Sequence, residues 1–254
     1  MKITILGSSH GDPTINCNTT SILVQAGGKN YLVDAGEGCN RGLVLQGLAP
    51  SFVHAVIITH MHIDHTSGLP MLAVLAQKYR RYAKDIHPVC LLPDERAADV
   101  LKAWCDVNYD TIKDMEFRTY HEGEAYSDDA IRITAYPNEH LSPIKDREAH
   151  SYSLKIEAEG KSVIFSGDIS DVAHDFSDFN VDAAKDCDIA FLELTHYNPD
   201  KALKVWEKLR AKKVVFYHMA TACQTEDGQI RIRELCRDLP FPVDFSYDNK
   251  QFVL

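Results

Sequence analysis

Six residues constrain this chain more than any others: His60-Met61-His62-Ile63-Asp64-His65. They follow the apolar run Ala55–Ile58, which reads as a buried strand, and precede a segment with helical spacing. The cluster therefore sits on a loop at the C-terminal end of a strand. Alternation along the loop puts His60 and His62 on the same side, where two imidazoles can share one metal ion. Asp64 and His65 follow at once and can serve a neighbouring position. One tetrahedral ion that keeps an open catalytic position needs three protein ligands, so four in six residues points to two ions.

Short runs rich in Ile, Val and Leu predict strands at Lys2–Leu6, Thr20–Gln25 and Tyr31–Asp34, with Gly27-Gly28 and Lys29-Asn30 as a hairpin turn between the last two. Asn40–Gly47 predicts a short helix. From Thr66 to Tyr82 the apolar residues Leu69, Leu72, Ala73, Ala76 and Tyr79 recur at helical spacing. Further strands are expected near Val89–Leu92, Ile131–Ala135, Ser153–Ile156, Ser162–Phe165, Ile189–Glu193 and Val214–Tyr217, and helices near Asp94–Cys105, Pro199–Ala211 and Asp227–Arg237. The first half is strand-heavy with hairpins, whereas the second mixes strands with crossover helices. That pattern suits two packed sheets flanked by helices. No tandem repeat or linker divides the 254 residues, so residues 1–254 are expected to form one domain.

Composition removes several function classes. The 27 Lys and Arg against 37 Asp and Glu give a net charge of −10, so any contact with nucleic acid has to be local. The longest apolar stretch, Leu69–Ala76, is far short of the roughly 20 residues that span a bilayer. The N-terminus reads as a strand and not as a secretory signal. Seven dispersed cysteines without a C-x-x-C pair read as reduced thiols in a cytoplasm. Histidine, at twelve, is about twice as frequent as in an average chain.

Further ligands are offered at other strand ends, where a sheet holds a side chain with little entropy left to lose. Asp168 follows the strand Ser162–Phe165 through Ser166-Gly167, His218 ends the strand Val214–Tyr217, and His140 follows Ile131–Ala135 through Pro137-Asn138-Glu139. Each has a plainer reading as a turn or hydrogen-bonding residue, and their joint placement favours the ligand reading.

With these residues in view, Thr59–His65, Asp168 and His218 resemble the signature of the metallo-β-lactamase superfamily. Gly7-Ser8-Ser9-His10-Gly11-Asp12-Pro13, Asp34-Ala35-Gly36-Glu37-Gly38 and His150-Ser151-Tyr152-Ser153 are similar to the ribonuclease Z and related phosphodiesterase branch. The resemblance implies an α/β fold, a four-layer αββα sandwich, with two divalent metal ions at one edge: usually zinc, with manganese or iron compatible. It assigns His60, His62 and His140 to the first ion and Asp64, His65 and His218 to the second, with Asp168 bridging. His150 is the alternative to His140.

The chain also departs from that branch. The long basic arm that grips tRNA has no counterpart, since Asp168 and His218 are only fifty residues apart and Asp171–Asp188 is acidic. The family's His-Glu-Ala-Thr motif stands here as Leu192-Glu193-Leu194-Thr195. These departures argue against tRNA 3′ processing.

The chemistry implied is hydrolysis by a hydroxide bridging two ions about 3.5–4 Å apart, with Asp64 orienting it as well as binding metal. Glu193 and His196 are candidates to protonate the leaving oxygen, against a plain surface role for His196. His10 and Asp12 are candidates to line the substrate pocket. The basic cluster Lys78, Arg80, Arg81 and Lys84 either contacts phosphate or, as the plainer reading, complements a helix C-terminus in solvent. The leading expectation is a cytoplasmic phosphodiesterase or small-nucleic-acid nuclease, without membrane contact, for which a homodimer is compatible. A lactone or thioester hydrolase is the alternative, and an iron-binding redox or sensor protein a more distant one.

Overall fold

The computed structural model describes residues 1–12, 14–108, 111–141, 150–169 and 181–254. Contacts gather the chain into two compact units, Met1–Tyr120 with Asp248–Val253, and His121–Tyr247 with Leu254.

The first unit is built on a seven-stranded mixed sheet. Strands β1 (Lys2–Gly7), β2 (Ser21–Ala26) and β3 (Lys29–Ala35) run antiparallel; β4 (Ala55–Ile57), β5 (Val89–Leu92) and β6 (Glu116–Thr119) continue in parallel from β3. Gly27 and Gly28, at φ 56° and 77°, make the two-residue turn that twists in register with its strands. Lys29 and Asn30, expected in that turn, already belong to β3, paired with Ala26 and Gln25. The parallel crossovers carry α1 (Cys39–Leu45), α3 (Leu69–Lys78) and α4 (Ala97–Val107), while α2 (Ile63–Thr66) is a single turn before α3. One long helix over Thr66–Tyr82 is therefore not formed: the turn Ser67-Gly68 separates α2 from α3, which restarts with Pro70 in its first turn, and Arg80–Tyr82 tightens into a 3₁₀ turn. The core lies between sheet and helices, with Leu6, Leu32, Val56 and Cys90 against Leu43, Leu72, Ala73 and Leu101.

The second unit repeats the plan. Strands β7 (Gly123–Ser127), β8 (Arg132–Asn138), β9 (Ser151–Ala158) and β10 (Lys161–Phe165) run antiparallel, and β11 (Ile189–Leu194), β12 (Val214–Met219) and β13 (Val243–Phe245) extend the sheet in parallel. The last strand, β14 (Gln251–Val253), returns to pair with β1. Crossover helices are thus as much a feature of the first half as of the second.

Helix α5 (Pro199–Trp206) starts on an Asn198 side chain that accepts the Asp200 N–H at 2.9 Å, with Pro199 at its first position. It is shorter than the helix expected to Ala211, because Lys208 and Leu209 close back onto Val205 and Trp206. After the single turn α6 (Thr221–Gln224), helix α7 (Glu226–Leu235) starts on Thr225. Trp206, 1% exposed, anchors this core with Phe216, Leu192 and Ile232. Of the acidic stretch Asp171–Asp188, residues 171–180 lie outside the described residues, as does Pro13. Among the described residues, no helix is long and apolar enough to cross a membrane.

Candidate metal centre

Each unit gathers imidazole and carboxylate side chains at the C-terminal ends of its strands. In the first unit the chain leaves β4 at Ile58, whose carbonyl accepts the buried Tyr120 hydroxyl at 2.7 Å. His60, His62 and His65 then pack ring against ring, with centroids 4.6 Å apart for His60–His62 and 4.2 Å for His60–His65. Asp64 and His65 lie in α2, with Asp64 Oδ2 3.5 Å from His65 Nε2. His60 and His65 are fully buried, Asp64 nearly so, and His62 is exposed.

The residue that holds this set is Asp34. Its carboxylate accepts the Thr59 N–H at 2.7 Å and the Thr59 hydroxyl at 3.0–3.1 Å, and it pairs with His65 Nδ1 at 2.8 Å. Thr59 Oγ1 in turn meets His60 Nδ1 at 3.1 Å. With both Nδ1 atoms engaged, Nε2 is the coordinating atom left on each ring, which is how a buried carboxylate sets a ligand's tautomer. The close packing also depends on Gly36, where a Cβ would lie 2.2 Å from the Asp64 carbonyl oxygen and 2.4 Å from Thr19 Oγ1.

In the second unit three imidazoles surround one carboxylate. Asp168 Oδ2 is 3.3 Å from His218 Nε2, 3.7 Å from His140 Nε2 and 3.8 Å from His196 Nε2. The two longer separations exceed hydrogen-bond range. The His218 and His140 separations are close to the spacing of about 3.3 Å between two ligands on one tetrahedral ion with bonds near 2.0–2.1 Å, whereas His196, among the described residues, belongs to no group of donors that could share one ion. Imidazole and carboxylate donors of these types suit a divalent metal. His150 lies elsewhere, stacked on Tyr152 at 6.2 Å and edge-on to His121 at 6.1 Å.

Glu193 is wholly buried and serves as a hub. Its carboxylate accepts the N–H groups of Ile169 at 3.1 Å, Thr195 at 2.7 Å and His196 at 3.1 Å, and meets His196 Nδ1 at 3.0 Å. It ties the Asp168 loop to the His196 turn and aims His196 Nε2 at Asp168. The buried Tyr197 hydroxyl donates to the Glu193 carbonyl, and burial holds that phenol well above its ordinary pKa, so it stays a donor.

Two β-bulges aim the site residues. Opposite β2, Ser21 pairs with Ala35 and Ile22 with Val33, leaving Asp34 as the extra residue at φ 57°. Opposite β11, Glu193 pairs with Tyr217 and Leu194 with Met219, leaving His218 at φ 45°. A non-glycine residue at positive φ is costly, and a bulge turns its side chain off the strand's alternation. Sequence reasoning placed Asp34 and Thr59 in motifs of the resemblance but gave them no role as supports; a carboxylate directly after the apolar run Tyr31–Val33 was the residue-level signal.

Other expected residues are placed less centrally. The His10 ring accepts the Asp12 N–H at 3.4 Å within the first loop. In the basic cluster, Arg80 is not simply solvated, since its guanidinium binds the Ile86 and Lys84 carbonyls and meets His87. Arg81 lies over the Tyr82 ring at 4.8 Å, and Lys78 over Tyr79 at 5.7 Å.

Comparison with known proteins agrees with this picture. The beta-lactamase superfamily domain matches residues 29–219. A ribonuclease Z of Methanothermobacter thermautotrophicus is 29% identical over 141 residues, 55% of this chain and 45% of that protein, so the chain spans about half the length of this relative. A ribonuclease Z of Nanoarchaeum equitans is 26% identical, covering 87% of this chain and 84% of that one. The metallo-beta-lactamase fold protein YhfI of Bacillus subtilis superposes with a TM-score of 0.77 at 17% identity, covering 99% of this chain and 98% of that chain. Its fold is therefore that of the two mixed, helix-flanked sheets described above. The chain belongs to the beta-lactamase superfamily.

Proposed function

We propose that the chain is a metal-dependent hydrolase of phosphodiester bonds, acting on a small phosphodiester or a short nucleic acid, with its two units working as one domain. The observation that carries this reading is the donor chemistry: three imidazoles held through Nδ1 or packed ring to ring in one unit, and three converging on one carboxylate in the other. On this reading His60, His62 and His140 hold one divalent ion, Asp64, His65 and His218 a second, and Asp168 serves both. Zinc suits the imidazole-rich set, and manganese or iron is compatible with it. The similarity to ribonuclease Z proteins supports phosphorus over carbon as the centre attacked.

Bound at such a site, two divalent ions supply Lewis acidity and a water-derived nucleophile at neutral pH. The chain's own residues do the rest. Asp64 is placed to orient the attacking water. Glu193 holds His196 Nδ1, which leaves Nε2, on a ring 31% exposed, to hold a proton for the leaving oxygen. Glu193 itself is a positioning residue, because its oxygens are already taken by four N–H groups. The seven cysteines occur as thiols, which supports a reducing compartment, the cytoplasm. A homodimer is part of this reading, supported by the exposed stripe Val100, Trp104 and Val107 on α4, and is checked by sedimentation.

The test is hydrolysis of bis(p-nitrophenyl) phosphate by protein of known metal content, beside a p-nitrophenyl ester and a lactone panel. Diester turnover with about two metals per chain, lost in Asp64→Ala and His62→Ala, is the expected result. Ester or lactone turnover without diester turnover assigns the site to carbon. Bound iron with no hydrolysis overturns the reading.

A further inference from the structure

The first loop, from Ser9 to Asn18, is closed at its neck by backbone. Ser9 N–H donates to the Asn18 carbonyl at 2.9 Å, and a Cβ on Gly7 would lie 1.8 Å from the Thr19 carbonyl oxygen. Beyond the neck the loop lies against the metal-site helix, since a Cβ on Gly11 would be 3.8 Å from Asp64 Oδ2. Residue 13 lies outside the described residues; Ile15, further along, is fully exposed.

One side chain from the far end of the sequence joins both arms of that neck. Asp248 Oδ1 accepts the Ser8 N–H and the Ser8 hydroxyl, both at 3.0 Å, and Oδ2 accepts the Asn18 N–H at 2.8 Å. Asn18 Nδ2 adds a bond to the Leu6 carbonyl at 3.0 Å. Asp248 is itself anchored on the sheet: the next residue, Asn249, donates to the Ile5 carbonyl at 2.7 Å, and Lys250 accepts from Ile5 N–H at 2.9 Å. A carboxylate accepting N–H and O–H groups makes hydrogen bonds roughly twice as strong as neutral ones, and here they are spent on a loop rather than on the core.

We propose that Asp248 is a positioning residue for substrate: by clasping Ser8 and Asn18 it fixes where the first loop lies against Asp64, and so how the body of a substrate seats there. This rests on Asp64 belonging to the catalytic centre proposed above. Asp248 touches no reacting atom, so its loss weakens substrate binding while the chemical step persists.

Two substitutions separate this from a merely structural role. Asp248→Ala removes both arms of the clasp. Asp248→Asn keeps Oδ1 for Ser8 but turns an N–H toward the Asn18 N–H, opening one arm, and serves alone if the alanine variant does not fold. With bis(p-nitrophenyl) phosphate the alanine variant is expected to raise KM about 10- to 100-fold, with kcat within about threefold and metal content unchanged. Hydrogen exchange on the metal-free chain should quicken at the Ser8 and Asn18 amides in Asp248→Ala, and at Asn18 alone in Asp248→Asn. An unchanged KM, or kcat and KM altered together, overturns the proposal even if exchange quickens. If the unaltered protein turns over no diester, the functional reading is what fails; the clasp is then judged by exchange and by the affinity of the metal-loaded chain for inorganic phosphate, which Asp248→Ala must weaken to the same degree.

Discussion

Replacing Asp34 by asparagine tests whether a carboxylate that touches no substrate sets the metal affinity of this centre. Asparagine tolerates positive φ better than most side chains, so the bulge at φ 57° survives the change. The amide oxygen can still accept the Thr59 N–H, now at 2.7 Å. What changes is the second oxygen, at present 2.8 Å from His65 Nδ1 and 3.0 Å from the Thr59 hydroxyl. An NH₂ group there faces a ring N–H donor to donor. The repair is to shift the His65 proton from Nδ1 to Nε2, which removes the lone pair that a metal needs.

Leaving a buried donor unsatisfied costs about 1–3 kcal/mol, and that is the scale of penalty metal binding then has to overcome. It corresponds to a loss of roughly 10- to 100-fold in affinity, the range found when carboxylate supports of ligating histidines are removed. The assay is competition for zinc against a chromophoric chelator at fixed pH, with thermal unfolding of the metal-free chain as control. Asp34→Ala should add backbone strain at the bulge and unfold earlier, whereas Asp34→Asn should not. Metal affinity within about threefold of the unaltered protein in Asp34→Asn would refute the reasoning, because the tautomer would then not depend on that oxygen.

Three further outcomes are expected. Glu193→Ala strips the acceptor from four N–H groups around a wholly buried position; it should destabilise the fold by about 3–5 kcal/mol in urea unfolding, and Glu193→Gln by clearly less. Gly36→Ala places a methyl 2.2 Å from the Asp64 carbonyl oxygen, so it should lower stability by about 1–3 kcal/mol and metal occupancy with it, read by calorimetry and metal analysis on the same sample. Arg80→Ala releases the Ile86 and Lys84 carbonyls and should cost about 1–2 kcal/mol, while Lys84→Ala should stay within about 0.5 kcal/mol; equal effects would return Arg80 to the solvated reading.

Ten strands and the helical crossovers were legible in the sequence because each has an apolar face to bury. The four strands it did not reveal, β6, β7, β13 and β14, are the four edges of the two sheets. Edge strands pair on one side only, and here they are short or solvent-facing: every residue of Glu116–Thr119 and Gly123–Ser127 is exposed or half-buried, and β13 and β14 have three residues each. Nothing in their composition separates them from loops until a neighbouring strand supplies the hydrogen bonds. The site divides in the same way. His60, His62, Asp64 and His65 announce themselves because they crowd into six residues after a buried strand, and Asp168, His140 and His218 because each stands at or just past the end of an apolar run that reads as a strand.

The sequence by itself therefore determined the chemistry on offer: which side chains can hold metal, that strand ends present them, and that the chain is neither basic nor long enough in any apolar run to suggest other classes. Tertiary structure alone decided how those side chains are held. Asp34 reaches His65 across 31 residues, Glu193 gathers Ile169 from 24 residues away, and Asp248 clasps Ser8 from 240. Asp34 and His218 are aimed by bulges that exist only as a mismatch between two paired strands. A hydrogen-bond acceptor carries no mark in sequence of which distant donor it will meet; that partner is chosen when the strands of its own sheet pair, and with it the tautomer and direction of each imidazole.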